Sequence, residues 1–420
     1  MNQFQHRNGI MHAEDVSLPD IAAAVGTPVY VYSASAVAEQ YRRLSEGLSG
    51  LDHLICYALK ANSNQALLKL LAGMGAGFDA VSGGEIARVL AAGAPGDRIV
   101  FSGVGKTRME MRDALLAGVR QFNVESEPEL ELLNEVALSM GTRAPVAVRI
   151  NPDVDPKTHR KISTGKSENK FGIPLERARN VYETASAMDG IRIAGLDLHI
   201  GSQLTSLAPL ERAYRKAADL VAVLRSDGFQ IDRIDLGGGL GIAYDRNLPG
   251  PPTIEQWCDL IGRETDKLNC EIVIEPGRLL VGGAGILLAS ILYLKRGHDR
   301  RFLVIDAAMN DLLRPSMYDA HHEVLTVRDA SDAESAILDV VGPICESGDT
   351  LAVQRSMQLP AAGDLVAIMS AGAYSSAMAS EYNSRPLVPE VLVSGNRFAV
   401  VRERNDIGKM IARDRIPNWL

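Results

Sequence analysis

Cysteine is scarce in this chain: four in 420 residues, at positions 56, 258, 270 and 345, with no paired or metal-like spacing. That rules against a disulfide framework or a clustered thiolate metal site and leaves reduced thiols in the cytoplasm as the expectation. An excess of basic charge is also missing, since 44 Lys and Arg against 52 Asp and Glu give a net charge of −8. A nucleic-acid partner would call for a basic face, so that class is set aside. No bilayer-length apolar run is present either. The most apolar window, "LLVGGAGILLASILYL" at 279–294, is too short and holds three glycines, so it reads as strands and a turn. The opening "MNQFQHRNGIMHAEDVSLPD" lacks the apolar core of a signal peptide. Repeats and low-complexity tracts are absent as well.

What is there is an alternation. Short β-rich runs, "HLICYALK", "GAGFDAVS", "DRIVFSG", "RQFNVES", "PVAVRIN", "AGLDLHIG", "RIDLGGG" and "EIVIEPG", are separated by Ala/Leu/Glu/Arg-rich stretches of helical period. Several of those stretches close on glycine, as a helix C-cap favours. Eight runs with intervening helices describe an α/β fold, a (β/α)8 TIM-like barrel, better than an open doubly wound sheet. After Gly277 the texture becomes β-rich and irregular, which predicts a C-terminal antiparallel β-sandwich or barrel. The expected division is a barrel over 33–276 and a β domain over 277–420, with 1–32 contributing a strand, "TPVYVYS", to the second.

In such a barrel, chemistry gathers where strands end and βα loops begin. The ends read here are Lys60, Asp79 and Ser82, His199 with Ser202, Gly237 to Gly239, and Glu275 with Arg278. "LGGGLGI" misses the G-x-G-x-x-G dinucleotide pattern, yet its backbone could cradle a single phosphate. "SGVGKT" at 102–107 lacks the upstream glycine of a P-loop, position 100 being Val, and is read as an ordinary strand-to-helix loop. One phosphate site, one lysine at a strand end, one histidine and one carboxylate together suggest pyridoxal 5'-phosphate. The lysine would hold the aldehyde through its neutral amine, and the carboxylate would keep the pyridine nitrogen protonated.

"YALKAN", "FDAVSGGE", "HIGSQ", "LGGGLGI", "EPGR", "GPICESGD" and "GAYSSAMASEYNSRP", in this order from about residue 25 onward, resemble the motif set of the alanine-racemase-fold pyridoxal-phosphate decarboxylases, in the diaminopimelate decarboxylase branch. "HRKISTGKSENKFGI" at 159–173 resembles that branch's long loop and "NRFAVVRER" its closing segment. The resemblance implies that Lys60 binds the cofactor covalently and His199 stacks on its ring. It also implies that Ser202 and the backbone at Gly238, Gly239, Gly277 and Arg278 hold the phosphate, with Glu275 facing the pyridine nitrogen. Racemases of the fold carry an arginine there, so a glutamate implies a decarboxylase. By the same resemblance, Arg278, Arg314 and Tyr318 match positions that hold a distal carboxylate, and Tyr374 one that contacts cofactor and substrate. Cys345 and Glu346 match a proton donor and an amine ligand supplied across a homodimer interface. The implied reaction is decarboxylation of meso-diaminopimelate to L-lysine, the last step of lysine biosynthesis, in the cytoplasm, with no metal.

Blander readings stand beside these. Cys345 alone would be a buried apolar thiol and His199 alone a core histidine. Asp79 could orient Lys60 or His199, or pair with an arginine. His321 and His322 are adjacent, so on a strand they face opposite ways and read as structural. The basic stretch 157–170 reads as a solvated loop or a lid. Two competing functions remain: a same-fold decarboxylase of another basic or carrier-linked amino acid, and a non-catalytic regulatory homologue.

Overall fold

The computed structural model describes residues 3–156, 158–159, 161, 164–165, 169–329 and 334–420. Half of the residues of the 157–170 loop therefore lie outside the described residues. The chain divides into two compact units, one of residues 38–243 with 249–280, the other of residues 1–37, 244–248 and 281–420.

The first unit is the barrel. Its strands are β1 (His53–Ala58), β2 (Gly77–Ala80), β3 (Ile99–Phe101), β4 (Gln121–Val124), β5 (Ala144–Asn151), β6 (Ile191–Asp197), β7 (Arg233–Asp235) and β8 (Glu271–Ile274). Each pairs in parallel with the next, and β8 pairs with β1 to close the ring. Because every strand is parallel, all eight C-terminal ends open on one rim. The intervening helices begin on side-chain caps legible in the sequence. Ser82 and Ser126 each accept the N–H of a glutamate three residues on, while Thr107 with Glu110 and Thr253 with Gln256 form reciprocal capping boxes. Two of the helices meet through a buried hydrogen bond, the Trp257 indole N–H donating to the Tyr214 hydroxyl at 3.0 Å. Lys106 of "SGVGKT" is buried and donates to the carbonyls of Gly103 and Asn123 and to Glu129 Oε1, at 2.7 to 2.8 Å. All three ammonium donors are thus used inside the fold, so this stretch is the strand-to-helix loop expected.

The second unit is β-rich. Val29–Ser33 lies between Gly285–Arg296, to which it runs antiparallel, and Glu390–Ser394, to which it runs parallel. Gly285–Arg296 also pairs with Leu365–Ile368 and, beyond a bulge at Ile291, with Arg301–Ile305. Ser335–Val341 and Thr350–Gln358 continue that second ladder. Two pairings are parallel, and the others are antiparallel among the described strands. Phe4–Arg7 and Ile10–Ala13 form a hairpin whose turn residues, Asn8 and Gly9, both have positive φ, the geometry an Asn-Gly pair favours. Its apolar face joins Leu18, Ile21, Val29, Val31, Ile286 and Leu288 in the unit's core.

Close backbone packing gives a direct test. A methyl on Gly96 would sit 1.7 Å from the Ala117 carbonyl oxygen, whereas one on Gly50 would meet nothing within 4 Å. Gly96→Ala is expected to melt several degrees below the parent in a thermal scan and Gly50→Ala to match it.

Candidate active site

The barrel's rim brings together the residues read from its strand ends. Lys60 sits in the single turn that follows β1, and its Nζ lies 2.9 Å from Asp79 Oδ2. Asp79 is fully buried and is the direct cross-strand neighbour of Ala58, so the amine is held over the start of its own loop. Asp79 therefore pairs with Lys60, one of the alternatives its sequence left open. Around the ring follow Arg149 in β5, Asp197 closing β6, Asp235 closing β7, and Glu275 one residue past β8, each buried. Arg149 Nη1 donates to Glu125 Oε1 at 3.0 Å, and its Nε lies 3.9 Å from Asp197 Oδ2.

The loops after β6, β7 and β8 meet backbone to backbone, which explains the run of glycines. A Cβ on Gly237 would lie 2.5 Å from the Leu198 carbonyl oxygen, on Gly238 2.2 Å from that of Glu275, and on Gly239 2.3 Å from that of Gly201. Gly237 and Gly239 also adopt positive φ, +63° and +108°. The Gly237 N–H donates to Asp235 Oδ1 and the Gly238 N–H to His199 Nδ1, at 3.0 and 3.2 Å. The amide of Gly238, one of the groups expected to hold a phosphate, here fixes the tautomer and tilt of His199. Ser202 Oγ accepts from Arg278 Nη2 at 3.1 Å.

The electrostatics are dominated by crowded acids. One oxygen each from Asp197, Asp235 and Glu275 lies within 4.8 Å of the others. Burial, then Asp235, Asp79 and Asp197, push Glu275 well above the usual carboxyl range, with Lys60 opposing. Burial raises Asp235 to about 6 against the pull of the Gly237 N–H. His199, although part of its surface reaches solvent, is driven well below the usual imidazole value by desolvation, then by Arg149 and Lys60. A neutral imidazole can lie against an aromatic ring without adding charge. Sequence reading missed Arg149, Asp197, Asp235 and Asn123. Their signal was present as polar residues set into apolar runs at or near the strand ends, in "AVRIN", "GLDLH", "RIDLG" and "QFNVE".

The remaining expected site residues lie in the second unit. Arg314 is buried: its Nη1 donates to His322 Nε2 at 2.7 Å, and its guanidinium lies over the Tyr244 ring at 4.4 Å. His322 Nδ1 in turn bonds the Met369 carbonyl at 2.7 Å, which confirms a structural histidine. Tyr318 ends the short helix that Arg314 begins, and Tyr374 is held at a φ of +55°. Cys345 and Glu346 are exposed, so the thiol is not the buried apolar one that composition alone would suggest. Their loop is tied to Asp349, whose carboxylate accepts the N–H of Met309 at 2.6 Å and of Ile344 at 2.7 Å. Glu346 Oε2 accepts from the Tyr382 hydroxyl at 3.0 Å.

A barrel with a lysine over one strand end, a buried carboxylate over another, a neutral histidine and a glycine loop has the donor set of a pyridoxal-phosphate site. The amine suits an aldehyde, the carboxylate a protonated ring nitrogen, and the glycine backbone with Ser202 and Arg278 a phosphate. The family described as "Pyridoxal-dependent decarboxylase, pyridoxal binding domain" matches residues 34–282. Diaminopimelate decarboxylase of Zymomonas mobilis is 48% identical over 423 aligned positions, covering 100% of each chain. That of Pseudomonas aeruginosa is 48% identical, covering 98% of each. The crystal structure of diaminopimelate decarboxylase from M. jannaschii in complex with L-lysine superposes with a TM-score of 0.94 at 36% identity, covering 99% of this chain and 98% of that one. The lysine/ornithine decarboxylase of Vibrio vulnificus superposes at 0.79 with 25% identity, covering 90% and 97%. The chain belongs to the pyridoxal-dependent decarboxylases, and within them to the diaminopimelate decarboxylase family.

The acid cluster makes a pH-dependent prediction. A carboxyl whose folded value is raised to about 6 opposes folding wherever the unfolded chain would ionise it, so its cost grows as pH rises from about 4 to about 6 and stays above that. Asp235→Asn in the cofactor-free protein is therefore expected to gain up to about 3 kcal/mol of stability at pH 7.5 and nothing near pH 4. Denaturant unfolding at the two pH values measures the difference.

Proposed function

We propose that this chain removes CO2 from meso-2,6-diaminoheptanedioate to give L-lysine, the last step of lysine biosynthesis, as a cytoplasmic homodimer. Pyridoxal 5'-phosphate, bound covalently at Lys60, supplies the electron sink for the bond that breaks. The observation that carries the reading is Glu275, a buried acid on the same barrel rim as Lys60. An acid facing the ring nitrogen keeps it protonated and strongly electron-accepting, which suits loss of CO2. Among the described residues no helix is long and apolar enough to cross a membrane.

The chain's own groups divide the remaining work. His199, neutral and fixed by the Gly238 amide, covers one face of the ring. Ser202, the backbone of Gly239 and Gly277, and Arg278 hold the phosphate. Arg278, Arg314 and Tyr318 hold the carboxylate that stays on the product, because a guanidinium meets a carboxylate bidentately. Tyr374 contacts cofactor and substrate. Glu346 binds the distal amine, and Cys345 Sγ gives its proton to the substrate Cα after CO2 leaves; both come from the second copy of the chain. That protonation leaves an achiral CH2 at the reacting carbon, and the untouched L centre at the other end gives the product its configuration.

Carbon dioxide release from meso-diaminopimelate, measured beside ornithine, lysine and arginine, tests the substrate; turnover of ornithine in preference would overturn it. Lys60→Ala should lose the borohydride-reducible absorbance of bound cofactor. Cys345→Ala should retain cofactor and lose most turnover, and mixing it with Lys60→Ala in exchanging dimers should restore part of the activity.

A further inference from the structure

The interior of a (β/α)8 barrel is ordinarily filled with branched apolar side chains. Here Leu54, Cys56, Val100 and Val273 supply only part of that filling, and a file of polar groups runs beside them. It begins at Glu271, whose Oε2 accepts from Arg233 Nε at 2.6 Å and whose other oxygen accepts from Arg120. Arg233 Nη1 donates to Gln121 Oε1 at 2.9 Å. Gln121 Nε2 donates to Asn123 Oδ1 at 2.6 Å. Asn123 Nδ2 then faces Ser102 Oγ at 3.1 Å and both Asp235 Oδ2 and Glu275 Oε1 at 3.4 Å. Ser102 passes its own proton toward Glu275 Oε1, again at 3.4 Å.

The direction of this chain follows from which groups can only donate. A guanidinium has no acceptor, so Gln121 must turn its oxygen to Arg233 and its NH2 toward position 123. Asn123, two residues along β4 and on the same face, must then present its oxygen to Gln121 and its NH2 to the acids. Gln121, Asn123 and Asp235 are fully buried, so no solvent competes for these bonds.

We infer that Asn123, oriented by Gln121 and Arg233, is a positioning residue for Glu275: its amide keeps that carboxylate ionised and aimed at the cofactor's ring nitrogen. The inference rests on the assignment of Glu275 to that nitrogen. Asp235, Asp79 and Asp197 face Glu275 and favour its protonated form, while Lys60 and Arg149 and the two neutral donors, Asn123 and Ser102, favour the ionised one. Asn123 is the donor whose orientation is imposed from the far end of the barrel.

The test uses holoenzyme loaded with cofactor isotope-labelled at the ring nitrogen, whose NMR shift reports whether that atom is protonated. Asn123→Asp removes the donor in place. Gln121→Glu leaves Asn123 untouched and gains an ion pair with Arg233, but offers Asn123 only acceptors, so its amide must turn over and present oxygen to Glu275. Both variants should move the nitrogen resonance toward the unprotonated position and lower kcat by roughly tenfold or more, with KM little changed. A purely structural role predicts that Gln121→Glu is neutral or stabilising, with an unchanged resonance, and that result would overturn the inference. Should Asn123→Asp not fold, Gln121→Glu decides alone. Glu275→Gln is the control. If its resonance stays at the wild-type position, the assignment of Glu275 itself has failed and the inference with it; if that resonance moves while the other two do not, only the role of Asn123 is wrong.

Discussion

A buried carboxylate is costly, and this protein gathers four of them, Asp79, Asp197, Asp235 and Glu275, at one end of one barrel. Lys60 and Arg149 answer part of that charge, while burial first and the remaining repulsion second raise the proton affinity of Asp197, Asp235 and Glu275. A cluster of this kind is hard to explain as scaffolding, since apolar side chains of similar size would pack at lower cost. It makes sense as an environment tuned for a ligand that brings positive charge, which a protonated pyridine nitrogen does. The neutral state of His199 belongs to the same balance, because burial first, and then the cations that steady the acids, discourage a charge on the imidazole.

The rest of the barrel is arranged to make that end possible. Parallel strands deliver their last residues to one rim, and alternation turns Asp79, Arg149, Asp197 and Asp235 inward. Loops after three consecutive strands then approach so closely that only glycine fits between them. In the second unit one buried carboxylate, Asp349, takes on a comparable task by gathering the N–H groups of Met309 and Ile344 around the Cys345 loop. Ser316, on the helix that carries Arg314 and Tyr318, donates to the Gly348 carbonyl at 2.6 Å. The segment assigned to the distal carboxylate is thereby tied to the loop that carries the thiol.

Much of this was legible in the residues. Each of the eight apolar runs holds a barrel strand, because a strand buried on both faces writes a continuous apolar stretch, though Ala144–Asn151 and Ile191–Asp197 begin one and three residues before theirs. Lys60, His199 and Glu275 stood out as chemically capable groups at the ends of such runs. Arg149, Asp197, Asp235 and Asn123 did not, since a polar residue inside an apolar run looks like a strand edge until closure of the ring turns it inward. The N-terminal hairpin was overlooked although its Asn8-Gly9 pair is a strong turn signal, because "FQHR" alternates too weakly to read as a strand. Gly238 was matched to a phosphate by the family resemblance, and nothing in the glycine run itself says that its amide also meets a histidine from the preceding loop.

The placement of Val29–Ser33 between Gly285–Leu288 and Glu390–Val393 bears on how the molecule is made. On the ribosome every barrel strand has emerged once residue 274 is out, so that unit can close while synthesis continues. The early "VYVYS" segment meets its first partner, Gly285–Leu288, about 255 residues downstream and its second, Glu390–Val393, more than 350 downstream, so at typical translation rates tens of seconds pass before both its edges are paired. A β edge near residue 30 is thus left open through most of synthesis, and the ladder that covers it is among the last to be written.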